Sequence, residues 1–149
     1  MSVEYRFARI DDDRLAAKAP RHWREKSVKM RFERERRQEL VAGGLLADML
    51  PELKSYDIAL TPSGKPYLVN YPQLHFSLSH SDEVVMCAIS DGPVGCDVER
   101  VVELSAEMRQ KIGSIELWTL KEAEFKRGKS AAAAYSVPAP EGYSAAIAG

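Results

Sequence analysis

The chain has 149 residues, of which 21 are Lys or Arg and 22 are Asp or Glu, so the formal net charge is −1 and the pI is near 6.3. This length allows one sizeable core, or two small cores that support each other. The near-zero net charge excludes binding to nucleic acid or membranes through overall charge, so any basic site must be local.

The N-terminal residues, MSVEYRFARIDDDRLA, lack the apolar stretch of a signal peptide. No apolar run approaches the roughly 18 residues needed to span a bilayer. We therefore expect a cytoplasmic protein without membrane contact. Cys87 and Cys96 lie in apolar stretches, with neither CxxC spacing nor nearby histidines. We interpret both as buried free thiols rather than nucleophiles.

The N-terminal third is predicted to be a short strand followed by a long helical segment. Residues 3–9 favour the strand. Residues 21–50 are rich in helix formers, with no Gly or Pro before Gly43, which predicts a mostly helical segment. Its first part is strongly charged and its last part apolar, so we expect one exposed end and one buried end.

From Pro51 onward, short apolar runs separated by turn residues predict a β region. Leu74, Phe76 and Leu78 alternate with polar residues, which predicts a strand with one buried apolar face and one polar face. The next run, VVMCAI, is apolar throughout, as expected of a central strand that is covered on both faces. After Glu99 we predict helices at about 105–112 and 117–127, a Pro-rich turn and a final short strand, YSAAIA.

The residues most suggestive of chemistry stand at the end of a strand and on the helix that follows. Asp97 and Glu99 are two residues apart, so a strand places both carboxylates on one face. Trp118, Glu122 and Lys126 lie one turn apart along one stripe of a helix. Carboxylates from both elements, with a lysine beside them, suit a magnesium ion that keeps open positions for water and phosphate. Each part alone is equally typical of a solvated strand end or an ordinary Glu–Lys helix pair.

Four motifs occur in a characteristic order: GKP at 64–66, HFSLSHS at 75–81, GCDVE at 95–99 and WTLKEAEFK at 118–126. This order resembles the surfactin-synthetase-type 4′-phosphopantetheinyl transferases, in the subgroup with a W-x-x-KEA helix. That family shows a GKP turn, a strand ending in SHS, a GxDxE strand and a W-x-x-KEA-x-x-K helix. The resemblance covers roughly residues 20–128, with a fainter echo in the closing strand.

The resemblance implies a magnesium-dependent enzyme that transfers 4′-phosphopantetheine from coenzyme A to a serine of an apo acyl or peptidyl carrier protein. The second product would be 3′,5′-adenosine bisphosphate. The W-x-x-KEA form is more similar to enzymes that serve polyketide and nonribosomal-peptide carriers than to dedicated fatty-acid enzymes. We expect a monomer whose partners are coenzyme A, Mg²⁺ and a carrier protein, without nucleic acid.

The resemblance also implies roles for individual residues. Asp97, Glu99 and Glu122 would bind Mg²⁺, and Glu122 would also help to deprotonate the carrier serine. Lys126 would lie near the phosphate that is attacked. The phosphates or ribose of coenzyme A would be contacted by three residues of the first half: Lys65, Ser79 and His80.

Basic residues of the long charged helix would, by the same resemblance, hold the 3′-phosphate of coenzyme A. Arg36 and Arg37 are the candidates, with Lys29 as a third. The alternative for each is a solvated face on which Glu and Arg pair at helical spacing, as Glu33 and Arg37 would.

Four other conspicuous residues receive structural interpretations. His22 is interpreted as a surface histidine and Trp23 as a partly buried aromatic residue. His75 is expected to make a local hydrogen bond. Trp118 is expected to pack at the seam between two domains, where it would help to place the KEA helix.

The fold implied is α+β, with two pseudo-symmetric halves that each have a small antiparallel sheet and a long helix. Residues 1–91 would carry the GKP and SHS motifs and residues 92–149 the GxDxE and WxxKEA motifs, with the active site in the cleft between them. This is the 4′-phosphopantetheinyl transferase fold.

The sequence departs from the family pattern in two ways. Ser77 stands where the family commonly has Asn, and the second half is short, because only residues 100–117 separate Glu99 from Trp118. Either the second half is reduced, or flexible loops are missing at two junctions, between residues 104 and 115 and after residue 129. A non-catalytic relative that binds coenzyme A or a carrier protein, and a structural metal-binding module, are the alternative functions.

Overall fold

The computed structural model describes residues 2–128 and 133–149, which form an α+β structure of small antiparallel sheets and helices, as predicted. The strands are β1 Val3–Arg9, β2 Ile58–Leu60, β3 Pro66–Leu68, β4 His75–Ser81, β5 Val84–Ser90, β6 Gly95–Arg100, β7 Tyr135–Val137 and β8 Tyr143–Ala148. The helices are α1 Asp13–Ala16, α2 Arg21–Val28, α3 Glu33–Met49, α4 Ala106–Ile112 and α5 Ile115–Arg127. The predicted strand at 3–9, the final strand and the two helices after Glu99 are therefore confirmed.

The first sheet has the strand order β1-β5-β4, with both pairings antiparallel. Its central strand β5 is buried at every position, which confirms the prediction of a strand covered on both faces. Alternate residues of β5 serve two cores. Val85, Cys87 and Ile89 pack against α1, α2 and α3, whereas Val84 and Met86 pack against the second sheet.

The second sheet has the order β6-β8-β7, again antiparallel. One face contributes Cys96, Val98 and Ile147 to the core shared with the first sheet. The other face is covered by α5, where Ala123 packs against Ala146 and Ala148 of β8. The molecule thus has four layers: helices, first sheet, second sheet and α5. β2 and β3 form a separate two-stranded hairpin.

The long helical segment predicted for residues 21–50 is two helices, so that part of the prediction is wrong. The chain breaks after Val28, and Phe32 is extended, with φ −107° and ψ 147°. Trp23 is buried against Gly43, where an added Cβ would lie 2.6 Å from the indole. A continuous helix would separate these two residues by about 30 Å. The chain reverses because burying Trp23 requires α2 to fold back on α3. The burial of the last part of the segment is confirmed.

The apolar face of β4 packs on the first core, as predicted, but the polar face is unexpectedly the more deeply buried one. Ser77 and Ser79 are 8% and 5% exposed, whereas Phe76 and Leu78 are half-buried. The reason is hydrogen bonding: the hydroxyls of Ser77, Ser79 and Ser81 accept backbone N–H groups of β6 at residues 96, 98 and 100, at 3.0, 3.1 and 3.0 Å. Serine side chains therefore take the place of a β-ladder between the two sheets.

Close approach of α5 to β6 explains why the expected role of Trp118 is wrong. A Cβ on Gly95 would lie 2.1 Å from the carbonyl oxygen of Ala123 and 2.4 Å from the backbone nitrogen of residue 127. At such a distance only small side chains fit, and the buried residues of α5 are Thr119 and Ala123. Trp118 does not pack in this interface and is 36% exposed.

The predicted boundary between residues 91 and 92 lies in the loop from β5 to β6, and the division into pseudo-symmetric halves stays a prediction. The region between residues 104 and 115, expected to be a loop junction, contains α4. The other expected junction, after residue 129, lies outside the described residues. Among the helices of residues 2–128 and 133–149, none is long and apolar enough to cross a membrane.

Candidate active site

Asp97 lies at the seam between the two sheets and is 3% exposed. Its Oδ1 accepts hydrogen bonds from Ser79 Oγ at 3.0 Å and from Lys126 Nζ at 3.2 Å. Lys126 Nζ also donates to the carbonyl oxygen of Leu78 at 3.4 Å, which ties α5 to β4. Asp97 Oδ2 is buried and receives no hydrogen bond from a protein N–H or hydroxyl donor in the described part of the chain, although the Glu99 carboxyl lies close enough to the Asp97 carboxylate to share a proton with it. A buried carboxylate oxygen without a partner is costly unless a cation or donor reaches it.

Glu99 follows on the same face of β6. Burial, and then the neighbouring Asp97 carboxylate, raise the pKa of Glu99 to about 8. Glu122 raises it further and Lys126 opposes the shift. Three carboxylates and one lysine from β6 and α5 are therefore close enough to interact. Because the three carboxylates outnumber the one lysine, this cluster favours the binding of protons or cations.

The donor set fits a hard divalent cation, since Asp97 and Glu99 supply neighbouring carboxylate oxygens and no N–H or hydroxyl donor of the described residues reaches Asp97 Oδ2. The carboxylates are nevertheless not closed around one point. Within residues 2–128 and 133–149, no three His, Cys, Asp or Glu side chains form a ready-made ion-binding group.

A cavity of about 390 Å³ opens beside this cluster. Three of the residues predicted from the sequence line it: Lys65 from the GKP turn, His80 from β4 and Lys126 from α5. The other lining residues are His22, Trp23, Lys26, Glu39, Ala42, Pro66, Phe76, Ser77, Leu78 and Phe125. Aromatic and aliphatic walls with several cationic groups suit a ligand that combines an apolar ring with phosphates.

The wall formed by α2 and α3 carries the other charged groups of the cavity. The Glu39 side chain is 9% exposed, and its Oε1 lies 3.4 Å from Lys26 Nζ and 3.6 Å from His80 Nε2. Burial acts to raise the pKa of Glu39, but the His80 and Lys26 groups outweigh it, so the pKa is lowered. Sequence reasoning missed both Lys26 and Glu39. The position of Glu39, as the last charged residue before the apolar half of α3, was the available signal.

The remaining predicted ligand residues are placed elsewhere. Ser79 does not line the cavity, because its hydroxyl is engaged by β6. Arg37 donates from Nε to the carbonyl oxygen of Ile10 at 2.7 Å, and Arg36 bonds Glu33 and the carbonyl oxygen of Arg31. Neither arginine lines the cavity, and neither does Lys29, at the end of α2.

Trp23 and His22 are placed differently from their predicted positions, whereas the two cysteines are placed as predicted. Trp23 is 2% exposed and so is fully rather than partly buried, since its ring packs edge-on against Phe76. His22 is half-buried and lines the cavity rather than lying on the open surface. The burial of both thiols is confirmed: burial raises the pKa of Cys87 and raises that of Cys96 to about 11.

The chain is similar to several curated proteins named 4′-phosphopantetheinyl transferases. It is 39% identical over 82 residues to "4′-phosphopantetheinyl transferase gsp" of Aneurinibacillus migulanus, which covers 42% of this chain and 34% of the relative. It is 37% identical over 51 residues to "4′-phosphopantetheinyl transferase Sfp" of Bacillus subtilis (strain 168), covering 34% of this chain and 23% of the relative. It is 27% identical over 109 residues to "4′-phosphopantetheinyl transferase ffp" of Bacillus subtilis, covering 70% of this chain and 49% of the relative.

These similarities are partial. The chain spans between about a quarter and a half of the length of these three relatives. No family model matches the chain. All three relatives are named for the same activity. The motifs and the site geometry are what relate that activity to particular residues of this chain.

Proposed function

We propose that the protein transfers 4′-phosphopantetheine from coenzyme A to a serine of an apo acyl or peptidyl carrier protein. One observation carries this proposal: a cavity lined by Lys65, His80 and Lys126 adjoins the buried, acidic Asp97–Glu99 cluster. Phosphoryl-type transfer needs positioned cations around phosphates more than it needs a covalent intermediate. Similarity to curated transferases supports the same reaction.

Coenzyme A suits the cavity by its chemistry. Phe76 and Phe125 offer apolar surface for the adenine ring, and the cavity is large enough for part of such a ligand. Lys126 reaches both the cavity and Asp97, so it would bring the pyrophosphate next to the acidic cluster. Lys65 and His80 would then balance the remaining phosphate charge. Arg36 and Arg37 are not needed for this arrangement.

Asp97, Glu99 and Glu122 would hold a magnesium ion. Their oxygen chemistry favours it, as does Asp97 Oδ2, which receives no N–H or hydroxyl donor in the described part of the chain. When bound, Mg²⁺ would neutralise the pyrophosphate and withdraw charge from the bridging oxygen that leaves. Ser79 and Lys126 fix Asp97 Oδ1, which leaves Oδ2 for the ion.

The protein's own groups would move the proton and stabilise the charge. The carrier serine oxygen forms a bond to the β-phosphorus while the bond to the bridging oxygen breaks, and the adenosine bisphosphate leaves with that oxygen. Glu122 would accept the serine proton. Lys126 would stabilise the negative charge on the phosphate oxygens during transfer, and its bonds to Asp97 and Leu78 hold it in place beforehand.

The carrier protein would approach α5, which borders the cavity. Leu117 and Phe125 on this helix are 52% and 82% exposed, and Trp118 is 36% exposed. Large apolar side chains left in solvent are typical of interaction surfaces. Phe125 also lines the cavity, so a partner bound there would lie beside the coenzyme A site.

Mass spectrometry of a carrier protein tests this proposal. The purified protein, Mg²⁺ and coenzyme A are mixed with an apo acyl carrier protein and, separately, with an apo peptidyl carrier protein. We expect addition of one phosphopantetheine group by the wild type and a loss of at least about 100-fold in rate for Asp97→Asn. Asp11→Asn, in an exposed turn, serves as the control and should react as the wild type does. If no mass is added to acyl or peptidyl carriers, the protein does not perform this reaction.

A further inference from the structure

Glu39 joins two basic side chains of the cavity wall that come from different elements. Its side chain is 9% exposed, and Oε1 lies 3.4 Å from Lys26 Nζ of α2 and 3.6 Å from His80 Nε2 of β4. All three residues line the cavity. These are ion-pair distances rather than hydrogen-bond distances, and contacts of this kind tighten when a ligand orders the site. Glu39 is thus placed to orient both partners.

An acid in a cavity that binds phosphates would by its charge alone weaken the binding of an anion. Among the residues that the structure describes, three lysines and one carboxylate line the cavity: Lys26, Lys65, Lys126 and Glu39. The lining therefore stays basic with Glu39 ionised. Burial acts to raise the pKa of Glu39, but His80 and Lys26 outweigh it and lower the pKa, so the carboxylate is ionised at neutral pH. These contacts favour a role for Glu39 through its basic partners rather than on the ligand itself.

A neighbouring hydrogen bond fixes the place of Glu39 relative to β4. The preceding residue, Gln38, is buried and donates from Nε2 to the carbonyl oxygen of Asp82 at 2.9 Å. Asp82 directly follows β4, two residues after His80. The bond ties α3 to the end of the strand that carries His80, and breaking it would leave a buried amide without its partner. The fold therefore sets the distance between Glu39 and His80.

The orientation of His80 matters because its two ring nitrogens can serve different partners. The side chain is 39% exposed, so without a partner it would populate several rotamers. A carboxylate only accepts hydrogen bonds, so contact with Glu39 requires a hydrogen on Nε2 and leaves Nδ1 for the ligand. Nδ1 can donate to a phosphate oxygen when the ring carries both hydrogens. A ring that is already oriented spares the ligand the cost of ordering it.

We propose that Glu39 is a positioning residue that holds His80 through Nε2, so that His80 Nδ1 donates to a phosphate oxygen of coenzyme A. This inference rests on the proposed function and deepens the role that His80 has there. Lys26 shares Glu39 Oε1 with His80 and so holds the carboxylate from the side of α2. Glu39 itself does not contact the phosphate.

Isothermal titration of coenzyme A, with Mg²⁺ present, into two neutral variants tests the inference. Glu39→Met removes the charge and the acceptor oxygens, so we expect binding to weaken about fivefold. Glu39→Gln removes the charge but keeps an acceptor oxygen for the Nε2 hydrogen, so it should bind at least as tightly as the wild type. Glu35→Met, one turn earlier on α3 and exposed, is the matched control and should bind as the wild type does.

A role by charge alone predicts a different pattern, in which both Glu39 variants bind coenzyme A equally and more tightly than the wild type. Equal binding by Glu39→Met and Glu39→Gln would overturn the inference and leave the proposed function standing. In a His80→Ala background the two variants should bind equally, because Glu39 acts through His80. A fivefold difference that persists in that background would also overturn the inference.

Nitrogen NMR of the imidazole rings in the wild type tests the same inference if Glu39→Met does not fold. The chain has three histidines, so the spectrum of His80→Ala assigns the signals of His80. We expect His80 Nε2 to carry a hydrogen with and without coenzyme A, and coenzyme A to bring a hydrogen onto Nδ1. A response to coenzyme A at Nε2 alone would overturn the inference. Failure of the wild type to bind coenzyme A would overturn both the inference and the proposed function.

Discussion

At the scale of single residues, the Ser79 hydroxyl has two functions within the fold. It accepts the Val98 N–H at 3.1 Å and donates to Asp97 Oδ1 at 3.0 Å, and the residue is 5% exposed. Both partners are buried, so neither can turn to water if the hydroxyl is removed. The same atom joins the two sheets and orients the central carboxylate of the site.

Ser79→Ala should lower the free energy of unfolding by about 1 to 3 kcal/mol, because it leaves a buried donor without a partner and a buried carboxylate with one donor fewer. Urea unfolding measures this. Ser136→Ala, on the exposed part of β7, is the control and should change stability by less than about 0.5 kcal/mol. Equal effects of the two substitutions would show that the serine ladder does not support the seam.

Asp48 should make the stability of the protein depend on pH in the acid range. Its carboxylate accepts hydrogen bonds from Lys18 at 2.7 Å and Arg14 at 3.0 Å, and Lys18, followed by Arg14, lowers the pKa of Asp48 from 3.8 to about 2. A lowered pKa means that these contacts stabilise the protein above about pH 4, and that the stabilisation is lost as the pH falls to about 2.

Asp48→Asn should therefore be less stable than the wild type at pH 7 by about 1 kcal/mol, as expected for a largely solvated network of charges. The difference should shrink between pH 4 and pH 2, where the wild-type carboxyl takes up its proton. Unfolding curves of both proteins across this range measure it. A difference that is constant with pH would contradict the assignment.

At the scale of elements, the contact of α5 with β6 fixes the position of Lys126 and Glu122 relative to Asp97. Gly95 permits this contact, since the nearest atoms to an added Cβ are the backbone atoms of residues 123 and 127, at 2.1 and 2.4 Å. Backbone cannot turn away as a side chain can, so the helix itself would have to move.

Gly95→Ala should destabilise the protein by about 1 to 3 kcal/mol through overpacking. It should also weaken the contact of Lys126 with Asp97, since both residues adjoin the displaced backbone. Thermal unfolding measures the first effect. Wild-type stability of Gly95→Ala would show that α5 does not lie as close to β6 as described.

Strand β6 could be predicted from the sequence, whereas the break between α2 and α3 could not. A short apolar run between turn residues identified β6, and the period of two of a strand placed Asp97 and Glu99 on one face, because both signals are local properties of the chain. The break between α2 and α3 carried no local signal, since residues 29–32 contain neither Gly nor Pro. It depends on Trp23 packing against Gly43, a contact between two segments that only the folded chain brings together.

The burial of the β4 serines could not be predicted, for a related reason. A polar side chain is expected to face water, but Ser77 and Ser79 face the unpaired edge of β6 and satisfy its N–H groups. Lys26 and Glu39 were missed because α2 and the start of α3 contain many charges. Which of these charges line the cavity is decided by how the two helices pack.

At the scale of the whole molecule, the four layers place the site at one seam. Residues of β4, β6 and α5 meet at Asp97, and the cavity runs from there along the first sheet to α2 and α3. The motifs that suggested the function lie in different layers, and the packing of the two sheets brings most of them to this seam. The proposed function therefore depends on this cavity being the coenzyme A site.

Isothermal titration of coenzyme A into Lys126→Ala and Arg37→Ala, with Mg²⁺ present, tests this claim most directly. Lys126 lines the cavity and Arg37 does not, although the sequence made both of them candidates. We expect Lys126→Ala to weaken binding by about tenfold or more, as the loss of a charged phosphate contact does, and Arg37→Ala to bind as the wild type does. Undiminished binding by Lys126→Ala together with weakened binding by Arg37→Ala would contradict the account.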